Sequence, residues 1–430
     1  MYRKIESELL EWKDNFKKPL MLIGARQTGK TYILEEFCKN NFENYLYIDV
    51  KKDIEIQKIF ESSIDPEIII SSIELLYDIK FNPENTVIFF DEIQESERAI
   101  ESLKYFAESD KPYKIVTAGS LLGVKINRFK SSFPVGKVTL KYLYSMDFEE
   151  FLLALGKNNL ISEIRKHYLD NSSFAEPLHN MCLDLYKKYL IVGGMPEVVN
   201  NFISVNCNIQ LLDYSLQDDI VTSYIADMNK YTLNTESIKI NATYKSIPKE
   251  LARVNNSFKF SLIDKNARFS RYKTSIEWLI SGSFVFKCSL TARNESPFSA
   301  FSVDDSFKLY LNDTGLLRAL SNIDYREILL DKNEMFKGVI SENYVAKEFF
   351  AKHKELFYYV FDRYEIDFII KQEGDVIPVE VKSGRRTTSK SLNQYINKYQ
   401  PKYAIRISEK NFGFENNIKS VPFYAVFCIS

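Results

Sequence analysis

Gly24 and Gly29, five positions apart and followed at once by Lys30 and Thr31, are the residues of this chain best suited to hold phosphate. The apolar run PLMLIG (Pro19 to Gly24) reads as a buried strand, and YILEEFCKN (Tyr32 to Asn40) as the helix that follows. Such a turn aims consecutive backbone N–H groups at one point, where the helix dipole adds positive potential. Gly24, Ala25, Arg26, Gln27, Thr28, Gly29, Lys30, Thr31 and Tyr32 are then the stretch that wraps the phosphates. The glycines leave room for the nucleotide, Lys30 reaches the β- and γ-phosphates, and the Thr31 hydroxyl binds Mg²⁺.

A second set lies downstream. TVIFFDE (Thr86 to Glu92) is an apolar run closed by two acids, as expected of a strand buried on both faces whose carboxyl end emerges beside a bound ligand. Asp91 would hold the Mg²⁺ and Glu92 would orient and deprotonate an attacking water. YKIVTAGS (Tyr113 to Ser120) ends in small polar residues where a sensor of the γ-phosphate would sit, Ser120 first and Thr117 second. An additional strand between the two motif-bearing strands, with Glu92 beside Asp91, points to the branch of NTPases with an inserted central strand and a glutamate base, and hence to ATP over GTP.

The third set is near the carboxyl end. Glu365 to Ile370 alternates so that Ile366, Phe368 and Ile370 share one face and Asp367 the other. In DVIPVEVK (Asp375 to Lys382), Glu380 and Lys382 emerge together, thirteen and fifteen positions after Asp367. With Glu342 on a preceding helix and the Val381 carbonyl, these carboxylates would hold a second Mg²⁺ or Mn²⁺, and Lys382 would position or activate water. A solvated Glu380–Lys382 pair is the plain alternative. The basic run that follows (Lys382, Arg385, Arg386, Lys390) suits a phosphate backbone.

The elements that must position these residues fit an α/β chain of several domains. At 430 residues the chain is long enough for about three. Hydrophobic residues at 45% and a formal net charge of −1 describe a globular protein with no global basic bias, so any nucleic-acid surface is local. One stretch qualifies: residues 244–293 carry ten Lys or Arg against three acids, on a short helix, a turn, a helix and two strand-like runs. Arg271 and Lys273 fall at the start of its second helix, which buries Ile276, Leu279 and Ile280. Five cysteines stand far apart with no paired spacing, which suggests free thiols rather than zinc or a disulfide framework. No leader or membrane span is evident, so the cytoplasm is the expected compartment.

GARQTGKT, DEIQ and the strand ending in Gly119-Ser120 resemble bacterial and archaeal AAA-like P-loop ATPases with a nuclease-like carboxyl end, from about Trp12 to Arg406. Asp367, Glu380 and Lys382 resemble the signature of PD-(D/E)xK nucleases, with Ile366 where those carry proline. The resemblance implies a P-loop NTPase parallel sheet over residues 1–156, a helical lid over 157–235 containing Gly193 to Glu197, a winged-helix-like domain over 236–331, and a restriction-endonuclease-like α/β domain over 332–430. FKLYLNDTGLL (Phe307 to Leu317) is a further shared segment, to which the residues alone give no chemistry. Such proteins usually carry Gly-Arg after the sensor strand; Gly136-Lys137 stands here, so Lys137 and Arg128 are the candidates for a finger residue. Two functions fit: an ATPase that drives modules acting on DNA or RNA, or a nucleotide-gated switch or scaffold whose nuclease-like domain binds nucleic acid or protein without cutting.

Overall fold

A computed structural model describes residues 1–120, 122–126, 133–230, 234–253, 258–263, 268–353, 355–383 and 390–429. Arg128, Arg385 and Arg386 lie outside the described residues. The chain divides into two compact units, Met1–Tyr144 with Ser281–Ser283, and Ser145–Ile280 with Phe284–Ser430.

In the first unit five strands alternate with helices: β1 (Leu20–Ile23), β2 (Asn44–Asp49), β3 (Thr86–Asp91), β4 (Lys114–Gly119) and β5 (Thr139–Tyr142). They pair in the order β2-β3-β4-β1-β5, all parallel. β4 therefore lies between the two motif-bearing strands, as the sequence suggests. Alternation along β3 explains its unbroken apolar run. Ile88 and Phe90 pack with Ile56, Phe60, Ile69 and Leu103 of the helices on one face; Val87 and Phe89 pack with Leu9, Trp12, Ile33 and Phe37 on the other. A sheet covered on both sides needs apolar residues at every position. Because the strands are parallel, their carboxyl ends meet at one edge, with Ile23 beside Gly119 and Asp91 beside Asp49.

In the second unit helices, among them Glu176–Val192, Pro196–Ser204 and Ser215–Lys230, precede a mixed sheet. Its strands are β6 (Val285–Thr291), β7 (Ser302–Leu311), β8 (Leu356–Phe361), β9 (Tyr364–Gln372), β10 (Asp375–Lys382), β11 (Ala404–Ser408), β12 (Gly413–Glu415) and β13 (Ile418–Pro422). Their order is β12-β13-β11-β10-β9-β8-β6-β7. The two strands expected as a wing, β6 and β7, do form an antiparallel pair, but β6 also pairs in parallel with β8, Cys288 opposite Leu356. An open strand edge recruits a partner, and here the partner belongs to the next segment. One sheet thus runs across the boundary expected at 331/332.

A buried polar node joins the same segments. Gly193 ends the helix Glu176–Val192 with φ 73°, and a Cβ there would stand 2.1 Å from Asp313 Oδ1; one on Gly194 would stand 1.9 Å from the Met146 carbonyl. Asp313 accepts from the Gly194 N–H at 2.7 Å and caps the helix Thr314–Leu320 by accepting from Leu316 N–H at 3.1 Å. Lys347, on the long helix Glu334–His353, places its ammonium 3.8 Å from Asp313 and donates to the Met146 carbonyl at 2.6 Å. Residues expected in four separate domains, Met146 among them, therefore satisfy one another inside one unit, and the DTGLL segment acquires a structural role.

Candidate functional site

The phosphate-loop residues are held by backbone conformations that their types permit. Gly29 has φ 90°, and Gln27 takes φ 63°, both in the left-handed region. Gly29 also stands at the N-cap of the helix Lys30–Asn41, where, lacking a side chain, it makes no side-chain cap hydrogen bond. A Cβ on Gly24 would lie 2.1 Å from the Leu143 carbonyl, so this glycine is required by the close approach of the chain after β5. Lys30 is buried, and its ammonium donates to the Gly24 and Ala25 carbonyls at 3.0 and 2.8 Å. Thr28 is buried and donates to the Ala25 carbonyl at 2.9 Å. Arg26 is half-buried, whereas Gln27 and Tyr32 are exposed.

The second set meets the first at the sheet edge. Thr31 Oγ1 donates to Asp91 Oδ2 at 2.8 Å, and Tyr47, from β2, donates to the same oxygen at 3.2 Å. Asp91 is buried, and burial, with Glu92 nearby, raises its pKa above the usual aspartate value against the lowering effect of its hydrogen bonds. Glu92 turns the chain at φ 50°. Its carboxylate accepts from the Gln94 amide and, at 3.4 Å, from Ser120 Oγ at the end of β4. Gly119 makes room for this arrangement, since a Cβ there would stand 2.4 Å from Gln94 Oε1. Thr117, the second sensor candidate, instead spends its hydroxyl on the Leu20 carbonyl at 3.1 Å, inside the sheet. Lys137 pairs with Glu108 at 2.8 Å on the surface.

With a glycine-bounded turn, a buried lysine and an Asp–Thr pair at the carboxyl edge of a five-stranded parallel sheet, the first unit has a P-loop NTPase fold. Residues 16–152 match the AAA domain family. Residues 183–327 match a domain of unknown function, DUF8612, and residues 337–426 another, DUF4143. Among solved structures the chain is similar to the Walker-type ATPase PABY2304 of Pyrococcus abyssi, at 15% identity over 74% of this chain and 95% of that one, TM-score 0.45. It is similar also to the ORC2 protein of Aeropyrum pernix with ADPNP and ADP, at 12% identity over 76% and 92%, TM-score 0.34. A third is AMPPCP-bound DnaA from Aquifex aeolicus, at 12% identity over 65% and 85%, TM-score 0.28. No curated protein matches by sequence.

Outside residues 16–152, the expected second metal set is spread over three elements of the second unit. Glu342, Asp367, Glu380 and Lys382 do come together, on the helix Glu334–His353, β9 and β10. Yet among the described residues no group of three or more His, Cys, Asp or Glu is arranged to hold a metal ion. A cation already stands in this cluster. Lys308, fully buried on β7, places its ammonium 3.0 Å from Glu342 and 2.8 Å from Glu365. Tyr310 donates to Glu342 at 2.6 Å, Lys382 pairs with Glu380 at 2.6 Å, and Asp367 accepts from the Val381 N–H at 2.8 Å. Burial and the Glu380 and Glu342 charges push the Asp367 pKa well up. Burial alone would lower that of Lys308, but Glu342, Glu365 and Asp367 outweigh it and hold the ammonium charged.

In the basic stretch, Lys245, Lys249, Lys259, Arg268, Arg271, Lys273 and Arg293 are exposed, while Tyr272, Ile276, Trp278 and Leu279 turn inward. Lys287 is half-buried over the Phe307 ring. Among the described residues no helix is long and apolar enough to cross a membrane, and all five cysteines are free.

Several supporting residues escaped the sequence reading. Arg3, buried, donates to the Thr28 carbonyl at 3.0 Å and the Tyr144 carbonyl at 2.7 Å, tying the phosphate loop to the chain after β5. Gln94 and Tyr47 hold the two acids, and Lys308 sits among the acids of the second cluster. Gln94 had a signal, its place two residues after Glu92; a lone Arg, Tyr or Lys had none.

Proposed function

We propose that this chain is a Mg²⁺-dependent ATPase that couples its nucleotide state to a second unit acting on nucleic acid. The observation that carries the reading is the 2.8 Å contact between Thr31 and Asp91 beside the Lys30 ammonium. A hydroxyl and a carboxylate together form the hard-oxygen donor set that Mg²⁺ takes, in its usual company of waters and phosphate oxygens. Thr31 and Asp91 would hold the ion, which supplies charge neutralisation at the phosphates. The N–H groups at the start of the helix Lys30–Asn41 receive phosphate oxygens, and Lys30 exchanges its loop carbonyls for the β- and γ-phosphates. Glu92 takes the proton of a water aligned with the γ-phosphate, and the Gln94 amide and Ser120 hydroxyl hold its carboxylate in place until then.

For the second unit, the Lys308 ammonium inside the acidic cluster favours binding without cutting. A carboxylate already neutralised by a buried ammonium is a poor ligand for a divalent ion, and a fold outlives its activity.

Both parts are tested in one set of tubes containing ATP, Mg²⁺ or Mn²⁺, and labelled DNA or RNA. Lys30→Ala lowers ATP affinity by about a hundredfold, two charge-assisted hydrogen bonds being lost. Glu92→Gln keeps binding and loses turnover by about 10²–10⁴-fold. Hydrolysis by Glu92→Gln at the parent rate removes the base assignment, and metal-dependent cleavage that Lys382→Ala abolishes restores the nuclease reading.

A further inference from the structure

A cleft of about 480 Å³ opens in the second unit where β9 turns into β10, lined by Tyr168, Asn171, Lys371, Tyr403, Phe414 and Lys419 among others. It is separate from the acidic cluster: Lys371 is four residues along β9 from Asp367, about 13 Å at the rise of a strand. Three features of the lining point to one kind of ligand.

The first is aromatic. Phe414, on the short strand β12, is 51% exposed, and the Tyr403 ring is fixed by its hydroxyl, which donates to Gln372. The second is charge. Lys419 holds its ammonium 3.7 Å above the centre of the Tyr168 ring, and neither Lys419 nor Lys371 has a carboxylate partner among the described residues, while the nearby Glu373 is paired with Lys402 at 3.0 Å. The third is an unspent amide. Asn171, at φ 53°, ends the helix Asn158–Asp170, and its buried Oδ1 has no hydrogen-bond partner among the described residues. A buried acceptor without a donor destabilises a fold unless a ligand supplies one.

We propose that this cleft binds a nucleotide unit, a planar base joined to a phosphate. The base stacks on Phe414 and Tyr403, the Asn171 amide meets its donor edge, and Lys371 and Lys419 take the phosphate. Base stacking with lysines along the backbone is how single strands are held without sequence readout. The unit comes either as a free nucleotide or as part of a single strand. This inference deepens the nucleic-acid reading and rests on it for the choice of ligand alone, not on ATP hydrolysis.

The experiment uses the full chain carrying Lys30→Ala, so that the phosphate loop no longer competes for nucleotide. Fluorescence anisotropy of labelled poly-dT is measured with and without added UMP. Binding is expected, Phe414→Ala weakens it about tenfold, and Lys371→Ala weakens it while flattening the salt dependence by about 0.7 in slope. Both side chains are exposed, so neither substitution threatens folding. Competition by UMP assigns the cleft to free nucleotides; binding of poly-dT that UMP does not displace assigns it to a strand. Absence of binding by both probes, or poly-dT affinity unchanged by Phe414→Ala and Lys371→Ala, overturns the proposal. Either of those results leaves ATP turnover by the parent chain untouched, so the two readings fail separately.

Discussion

At the end of β3 the Asp91 carboxylate accepts hydrogen bonds from two hydroxyls, Thr31 and Tyr47, and from one backbone N–H, that of Glu92. In the second unit, Glu342 of the helix Glu334–His353 and Glu365 of β9 accept from the Lys308 ammonium, and Glu380 of β10 from that of Lys382. Both clusters gather acids beside a sheet. Neutral donors leave the first with its negative charge and a need for a cation, whereas ammonium groups bring the second its cations covalently. On the reading proposed for the second unit, acid residues at metal-ligand spacing do not by themselves specify a metal site. The charge already delivered by neighbouring elements decides.

The largest effect that separates the clusters is on divalent-ion binding. Titrating Mn²⁺ by electron paramagnetic resonance in the presence of nucleotide should give one bound ion per chain, and Asp91→Ala should lower its affinity by at least tenfold to a hundredfold. A second ion that binds without nucleotide and is lost in Asp367→Ala would erase the distinction.

Removing the resident cation comes next. Lys308→Met leaves Glu342 and Glu365, both half-buried, without their ammonium, and solvent screening keeps the loss below the roughly 3–5 kcal/mol of a fully buried unpaired charge. Chemical denaturation should show that loss, and added Mn²⁺ should recover part of it by replacing the ammonium. A variant as stable as the parent at neutral pH would mean that the carboxylates are screened by water and that Lys308 is not what neutralises them.

A smaller effect probes how Glu92 is held. Gly119→Ala forces a methyl group against Gln94, whose amide donates to the Glu92 carboxylate. Turnover should fall about tenfold with ATP affinity retained, less than the roughly 10²–10⁴-fold cost of losing a general base, because the base is displaced and not removed. A fall in affinity with turnover unchanged would place Gln94 in nucleotide binding instead.

How far these features could be read from the sequence follows from how local their causes are. The phosphate loop, TVIFFDE and the small-residue end of β4 are contiguous strings whose chemistry requires their neighbours in the chain, so each was legible. The placing of β4 between β1 and β3 followed from those strings. Asp367, Glu380 and Lys382 were legible as a group because strand alternation fixes their side. Lys308 was not, because it reaches Glu342 and Glu365 across 34 and 57 positions of chain, from a strand whose pattern says only that it is buried. The node of Met146, Gly193, Asp313 and Lys347 was hidden for the same reason, and with it the meeting of residues from four expected domains in one unit. Composition shifts mark linkers, but nothing in a string of residues announces that β6 will pair with β8.

The last difference is one of sign. Burial raises the Asp91 pKa, so the folded chain holds this proton to higher pH than the unfolded chain, whose aspartate titrates near 3.8. Stability from that protonation is present below the unfolded value and is lost as pH rises through the folded one. At neutral pH the ligand-free chain therefore carries a charged carboxylate at a cost, and Asp91→Asn, which keeps an acceptor for Thr31, should raise the melting temperature by a few degrees. Melting curves followed downward from pH 8 should show the gain shrinking towards the unfolded aspartate value. Bound Mg²⁺ and nucleotide should abolish the gain, because a cation removes the cost that the substitution removes. A gain independent of pH would point to packing, and a loss at neutral pH would mean that the hydroxyls of Thr31 and Tyr47 already outweigh the burial of the charge.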